Sequence, residues 1–484
     1  MSDSLKRNTL NAVIWNGAQR YGVLLIGFLS NMVLARLLTP EDFGVIGLLN
    51  VFIAVAESMV DTGFGAALIQ RKDTSEIDYS TVFIWNIVIS ILLTIILYLT
   101  APLISAYFKV ERLTDVLRVT GCILIINALA SVQMTRLTKN LKFKQIAIRT
   151  LIAVTISAAT GITLALLGFG IWALVAQIVV NSAVCALLIW IISKWKPSMR
   201  FSWESFRKMF KFGSLIFLSG ICDTLYTNIQ GFIIGKSFSV KDLGYYTQAH
   251  KLQTVPVQGT SSVLSQVLFP VYAAVADDRA RHIGMVRKNV QLITFITFPI
   301  MLLLIVIAHP LIGLLYSDKW LPAVPLFQVL CVFGFLQPLN QANAQIFKAI
   351  GRSDIYFTLQ TTKRVINLTL ILLSVQFGLM TMMWTIALTG LISYLLNIFF
   401  THRSFGYSYR KQFADIIPAF FSSILAMGVT YGIYLLLETC TISPVLQILI
   451  PTVVFGLTYF ALSVTIQKKS IQTIKGLIVR KKDL

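Results

Sequence analysis

Apolar stretches long enough to cross a bilayer recur fourteen times in this chain, separated by short polar joints. About 20 apolar residues in helical form span the hydrocarbon. Hydrocarbon offers backbone N–H and C=O groups no water, so each stretch must satisfy them internally, as an α-helix does. The expected fold is therefore all-α, a polytopic membrane protein with fourteen transmembrane helices. The stretches run over 12–38, 43–68, 80–107, 113–133, 145–167, 170–193, 211–235, 243–275, 289–308, 322–347, 354–377, 379–401, 412–437 and 445–467. The stretch at 243–275, long and polar in its middle, departs most from the pattern, with the very short turn near Gly378.

The basic residues test this count. Cytoplasmic loops hold Lys and Arg back. Assigning the joints alternately to two sides places about thirty of the 41 Lys and Arg residues on one side, about five on the other and about six inside the stretches. The rich side collects Arg71, Lys72, Arg136, Lys139, Lys142, Lys144, the cluster from Lys194 to Lys211, Arg287, Lys348, Arg352, Arg403, Arg410 and the tail. The poor side holds Lys109, Arg112, Lys236, Lys241 and Lys319, and its longest loop runs over about 309–321. Dropping one stretch would invert the pattern downstream, so the count is even and both termini are expected in the cytoplasm. Lys6 and Arg7 precede an apolar run too long for a signal peptide, with no small-residue cleavage site, so this run is expected to persist as the first span.

The same alternation explains the net charge of +21 without a nucleic-acid partner, and no stretch interleaves aromatic and basic residues as a single-strand binder does. At 56% hydrophobic and 13% charged residues, with mean hydropathy +0.77, the composition is far from that of a soluble globular protein. Cys122, Cys185, Cys222, Cys331 and Cys440 form no CxxC pair and read as small packing residues. The 4 histidines are scattered. Neither a metal nor an organic cofactor is expected.

The longest inner joint, 194–210, is basic and amphipathic through Trp195, Met199, Phe201, Trp203 and Phe206, and is expected to lie on the membrane surface. It divides two related halves. The expected organisation is an N-terminal six-helix lobe over 1–193, the linker 194–210, a second six-helix lobe over 211–401, helices 13 and 14 within 402–467, and a basic cytoplasmic tail over 468–484. Arg36-Leu-Leu-Thr-Pro-Glu-Asp-Phe-Gly44 ends the first stretch and opens the second; Lys236-Ser-Phe-Ser-Val-Lys-Asp-Leu-Gly244 does so for the seventh and eighth. Thr39 aligns with Ser239, Asp42 with Asp242 and Gly44 with Gly244. A six-span repeat preserves orientation, so the halves would be parallel repeats about an axis normal to the membrane. Thr39 with Asp42, and Ser239 with Asp242, have capping-box spacing, and Pro40 suits a first helical position. These acids are therefore expected to cap helices.

Of the basic residues inside the stretches, Arg36 and Arg118 lie near outer ends and can snorkel. Arg20, Lys251, Lys363 and Arg364 each lie roughly 13 Å deep at ~1.5 Å per residue, close to the midplane of a ~30 Å core. Three acids lie more than a turn inside: Glu57, Asp61 and Asp223. Glu57 and Asp61, four apart, share a helix face. They are candidates for proton or Na⁺ coupling, or salt-bridge partners of the deep cations. The cations outnumber the acids available, so some positive charge is expected to line a water-filled cavity. Polar companions such as Asn16, Gln19, Asn228 and Gln253 put the first, second, seventh and eighth stretches on its wall. Pro256, Pro270 and Pro299 are candidate kinks. A cationic midplane cavity suits an anionic substrate such as a lipid-linked pyrophosphate, whose oxygens guanidinium and ammonium groups match.

Ala35-Arg-Leu-Leu-Thr-Pro-Glu-Asp-Phe-Gly44, Asp61-Thr-Gly-Phe-Gly65, Ala67-Leu-Ile-Gln70, Asp242-Leu-Gly-Tyr-Tyr246, Asp318-Lys-Trp320 and Ala349-Ile-Gly-Arg352 together resemble the polysaccharide and O-antigen flippases of the colanic-acid and teichuronic-acid exporter type. This is a branch of the multidrug/oligosaccharidyl-lipid/polysaccharide exporter superfamily. The resemblance covers essentially the whole chain. It implies a V-shaped, two-lobed transporter of the bacterial inner membrane. Its substrate would be an undecaprenyl-pyrophosphate-linked sugar repeat unit, flipped by alternating access. The implied partners are that lipid-linked oligosaccharide, membrane lipids, a polysaccharide polymerase and a chain-length regulator. The cavity role falls on Arg20, Lys251, Lys363 and Arg364 by depth alone.

Other functions stay open. A multidrug extruder of the superfamily favours an acidic cavity for organic cations, whereas the midplane excess here is positive. A peptidoglycan-precursor flippase shares the architecture. A membrane glycosyltransferase, polymerase or ligase would need a sizeable external loop or a DxD-type motif, and the chain has neither, so no enzyme is expected.

Overall fold

Helix occupies each of the fourteen apolar stretches in the computed structural model. The structure describes residues 3–60, 63–71, 73–274, 279–349, 352–440 and 442–467, so Asp61, Lys72 and the basic tail lie outside the described residues. Among the described residues there is no strand. The chain forms two compact units, Met1–Thr247 and Gln248–Leu484. Among the described residues eleven segments are long and apolar enough to cross a membrane, so this is a multi-pass membrane protein. The three stretches that miss that standard are helical too; they lie within Trp203–Ser237, Val240–Ala274 and Ser353–Ser374. These are the polar helices: besides charges such as Asp223, Lys251 and Lys363 they carry many Gln, Asn, Ser and Thr residues, which lower their hydropathy.

The first unit contains α1 (Asp3–Leu37), α2 (Pro40–Val60), α3 (Phe64–Gln70), α4 (Glu76–Phe108), α5 (Leu113–Gly121), α6 (Ile123–Lys139), α7 (Phe143–Leu166), α8 (Ile171–Ser193), α9 (Trp203–Ser237) and the opening turns of α10 (Val240–Ala274). Both expected capping boxes are present. Asp42 N–H donates to Thr39 Oγ1 at 3.3 Å and Thr39 N–H to Asp42 Oδ2 at 3.1 Å. The second box repeats this with Ser239 and Asp242 at 3.0 and 3.2 Å. Ser75 and Asp78 form a third at the start of α4.

The two boxes start helices that cross each other. A Cβ placed on Gly44 would collide with the Val240 carbonyl, and one placed on Gly244 with the Pro40 carbonyl. Only residues without a side chain permit this approach, and the contact is reciprocal, as across a local two-fold axis. Lys241 and Glu41, at equivalent positions of the repeat, form an ion pair at 3.8 Å.

The second stretch is one span in sequence but two helices in space. It breaks between Val60 and Phe64, where Gly63 has φ 73° and lies against the Gly213 carbonyl of α9. The linker also differs from a free surface helix. Residues 194–202 are not helical, and Trp195 is buried with Phe64, Tyr79, Phe83 and Met209. Trp195 Nε1 donates to Glu76 Oε2 at 2.6 Å, and Arg136 grips the same carboxylate at 2.8 Å. Met199 and Trp203 face outward. Amphipathicity here mixes residues that seal the unit with residues that leave it.

The second unit contains the rest of α10, α11 (Arg279–Val306), α12 (Ala308–Tyr316), α13 (Val324–Gly334), α14 (Gln337–Ala349), α15 (Ser353–Ser374), α16 (Leu379–Phe405), α17 (Tyr409–Glu438) and α18 (Pro444–Ile466). The segment expected as the longest outer loop is α12 plus a 3-10 turn over Asp318–Ala323, with Tyr316 and Trp320 buried at 1% and 0% exposure. Nine residues are too short to register as a span. Helix α10 runs unbroken through Pro256 and Pro270, and α11 through Pro299. Arg287 on α11 makes a bidentate pair with Asp415 on α17 at 2.7 and 2.8 Å. Tyr407 and Gln291 also donate to that carboxylate. In both units the fully buried positions favour small residues, such as Ala35, Ala101, Ala128 and Ser422, as close helix packing in lipid requires. Long apolar side chains such as Leu99, Leu103 and Leu457 point outward.

Candidate functional site

Each unit carries its own polar feature among its apolar helices. In the first, a cavity of about 650 Å³ opens among α2, α3, α4, α6 and α9. One face of α6 supplies most of its polar lining: Asn127, Ser131, Thr135 and Thr138 recur at helical spacing. Glu57 of α2 faces them and accepts from Asn127 Nδ2 at 2.7 Å. Asn86 of α4 donates to Ser131 Oγ at 3.0 Å. Ile69, Leu124, Met134 and Ile216 complete an apolar rim, while Gly63, Gly65 and Gly220 leave the space open. Among the described residues Glu57 is the one titratable group in the lining.

In the second unit, Lys363 is buried at 8% exposure on α15. Its ammonium donates to Asn397 Oδ1 of α16 at 2.7 Å. Asn397 Nδ2 donates in turn to Asn340 Oδ1 of α14 at 2.5 Å, and Asn340 Nδ2 to the Gly390 carbonyl at 3.4 Å. Lys363 thus heads a chain of neutral amides. An amide orients the ammonium without cancelling its charge, whereas a carboxylate would do both.

The remaining candidates lie as follows. Arg20 is exposed on α1, with Gln19 beside it bonded to Thr150 at 3.4 Å. Lys251 is exposed on α10, and its carbonyl accepts from Thr254. Arg364 is half-buried; adjacent to Lys363 on α15, it projects roughly 100° away around the helix. Asp223 is exposed on α9, next to the cavity residue Thr224. Asp61 is outside the described residues, so the face it was expected to share with Glu57 is represented by Glu57 alone. Of the two shallow arginines, Arg118 lies 4.5 Å over the Tyr98 ring, and Arg36 is exposed at the end of α1. Among the described residues no three His, Cys, Asp or Glu side chains are grouped to hold a metal ion.

Several participants carry no charge and were not singled out from the sequence. Asn127, Ser131, Thr135 and Thr138 have an audible signal, a polar stripe of helical period in an otherwise apolar span. Asn86, Asn340 and Asn397 are lone amides with no such pattern.

Comparison with known proteins places this geometry. A family model described as "Polysaccharide biosynthesis protein" matches residues 33–325. The chain is 24% identical over 466 residues to the teichuronic acid biosynthesis protein TuaB of Bacillus subtilis (strain 168), covering 95% of this chain and 96% of that one. It is also 24% identical to the lipopolysaccharide biosynthesis protein WzxC of Escherichia coli (strain K12), over 90% of this chain and 89% of the other. Among solved structures, the lipid II flippase MurJ in an inward closed conformation superposes with TM-score 0.78 at 18% identity, covering 95% of this chain and 100% of MurJ. An inward-facing multidrug resistance transporter of the MATE family superposes with TM-score 0.62 at 16% identity, over 82% and 98%. At such identities the structural likeness is one of fold. The family match runs over more than half of the 484 residues and takes in both capping boxes, the reciprocal glycines and the whole cavity lining: the chain belongs to the polysaccharide biosynthesis protein family.

Proposed function

We propose that this protein moves an undecaprenyl-pyrophosphate-linked oligosaccharide repeat unit across the bacterial cytoplasmic membrane by alternating access, for assembly of a surface polysaccharide. Family membership supports the pathway. The observation that carries the substrate class is Lys363, an ammonium buried at mid-span on an amide partner. Charge in a membrane interior is costly and is retained where function uses it. A diphosphate, with several acceptor oxygens and negative charge, is the ligand that such an ammonium suits. Arg20, Lys251 and Arg364 are assigned contacts with the same anionic portion. Both termini are placed in the cytoplasm on the strength of the basic loops. A polymerase and a chain-length regulator on the far side would receive the repeat unit. Proton or Na⁺ coupling through Glu57 or Asp223 belongs to the same reading, and a flipping rate in proteoliposomes indifferent to both gradients would remove it.

The test is a cell whose surface glycan depends on this chain. Arg20→Ala, or Lys363→Ala with Arg364→Ala, is expected to abolish surface glycan and leave lipid-linked repeat units accumulating inside, at unchanged protein level. Normal glycan export by both variants would refute the assignment.

A further inference from the structure

The cavity of the first unit differs chemically from the buried lysine, and its bonding pattern specifies a ligand. Ser58 Oγ donates to the Val55 carbonyl at 2.8 Å, Ser131 Oγ to Ala128 at 2.9 Å, Thr135 Oγ1 to Ser131 at 3.0 Å and Thr138 Oγ1 to Met134 at 2.9 Å. A carbonyl oxygen only accepts, so each of these hydroxyl hydrogens is committed to its own helix. What the hydroxyls can offer the cavity is lone pairs. Asn127 and Asn86 likewise turn an N–H onto protein acceptors, Glu57 and Ser131.

One acceptor is conspicuously left over. Asn86 is 6% exposed, and its Oδ1 is buried with no hydrogen-bond partner although the residue lines the cavity. A buried carbonyl without a donor is destabilising, and such exceptions in native proteins call for a cause. Among the described residues no Lys, Arg or His stands in the lining. The described walls therefore present mainly acceptors, the Glu57 carboxyl among them, beside the apolar side chains of Leu124, Met134 and Ile216. That is a poor receptacle for phosphate or for a uronic acid. It suits a molecule rich in O–H or N–H donors that has an apolar face, and about 650 Å³ is ample for one or two sugar rings.

We infer that this cavity is a binding site for a non-anionic sugar residue, its hydroxyls donating to Asn86 Oδ1, Glu57 and the Thr135 and Thr138 oxygens. The inference deepens the proposed function by assigning the glycan part of the substrate a site separate from the one assigned its phosphates. The substrate would thus be read by two opposite chemistries, donors for the diphosphate and acceptors for the sugar.

The test uses the purified full-length protein in nanodiscs and two probes that differ only at C6, methyl α-D-glucoside with a hydroxymethyl group and methyl α-D-glucuronide with a carboxylate. Saturation-transfer difference NMR reads weak contacts of this kind. The glucoside is expected to give signal and the glucuronide at least tenfold less. Thr135→Val keeps the side-chain shape and removes one acceptor; Asn86→Leu removes the unpartnered one. Each should weaken glucoside binding several-fold, the scale of one or two hydrogen bonds. Lys363→Ala should leave glucoside binding intact. Equal binding of both probes, no glucoside signal at all, or glucoside binding unchanged in both cavity variants would overturn the assignment. Because binding is read without transport, normal export by the lysine and arginine variants would sink the diphosphate role while leaving this site standing, and the converse holds.

Discussion

The crossing of α2 and α10 supports a quantitative prediction. Replacing Gly44 by Ala places a methyl group inside the Val240 carbonyl, and replacing Gly244 places one inside the Pro40 carbonyl. A flexible side chain could swing aside, but a backbone carbonyl inside a helix moves only with its helix. Overpacking a well-packed contact costs about 1–3 kcal/mol, and an unyielding backbone puts this case at the upper end. For a unit of roughly 250 residues that is a fall in melting temperature on the order of 5–10 °C. Gly17 and Gly27 on α1 are the controls: a Cβ there meets nothing within 4 Å, so Gly→Ala should be neutral or stabilising by up to ~1 kcal/mol, the helix-propensity difference. Because the contact is reciprocal, the two deleterious variants should have similar effects. The double variant should fall short of their sum, since separating the helices once relieves both clashes. Thermal unfolding of detergent-purified protein, followed by tryptophan fluorescence, reads the five variants beside wild type. Gly44→Ala melting like wild type would refute the reasoning, as would a loss equal to that in the α1 controls.

Two further predictions concern buried charge. Asn397→Leu leaves the Lys363 ammonium without its acceptor and should destabilise by about 3 kcal/mol, while adding Lys363→Met should recover most of the loss; melting without recovery would refute the amide's role. Asp415→Asn breaks the bidentate bond from Arg287 together with the geometry that Tyr407 and Gln291 share. Since the Arg287 side chain remains 35% exposed, the expected cost is about 2–3 kcal/mol, read in the same melting assay, and an unchanged midpoint would count against it.

How much of this was legible in the sequence depends on what kind of signal each feature leaves. Helix positions were legible because hydrocarbon permits a spanning segment little else, and all fourteen stretches hold helix. Capping boxes were legible because their chemistry is local, complete within four residues. The break at Gly63 was not: Phe64-Gly-Ala-Ala-Leu is as apolar as the span it interrupts, and the cause is an approach to Gly213, distant in sequence. The short helix α12 was missed for a related reason, since a nine-residue apolar helix beside a spanning one adds no length to any window. Trp195 looked like a membrane-surface residue because amphipathicity does not say which neighbour covers the apolar side; here it is the protein itself. At the candidate sites, charge drew attention to Lys363 and Glu57. Their partners Asn397 and Asn127 are neutral, and an amide's importance shows only when the group it serves is seen to be buried beside it. The pair Arg287–Asp415 was hidden because each residue alone sits near a span end, where charge needs no explanation.

The ion pair between Glu41 and Lys241 has a consequence for the symmetry of this crossing. Residues 41 and 241 occupy the same place in their repeats and meet where the repeats cross. Had two separate, identical six-span subunits met in this way, each residue there would have faced its own copy: acid against acid, or base against base. Opposite charges at such a point require two different sequences, as two diverged stretches of one chain supply. At 3.8 Å, with both side chains half-exposed, the pair contributes little to stability. Its information is about symmetry: the charges at this crossing break the two-fold relation that the reciprocal Gly44 and Gly244 approach beside it keeps.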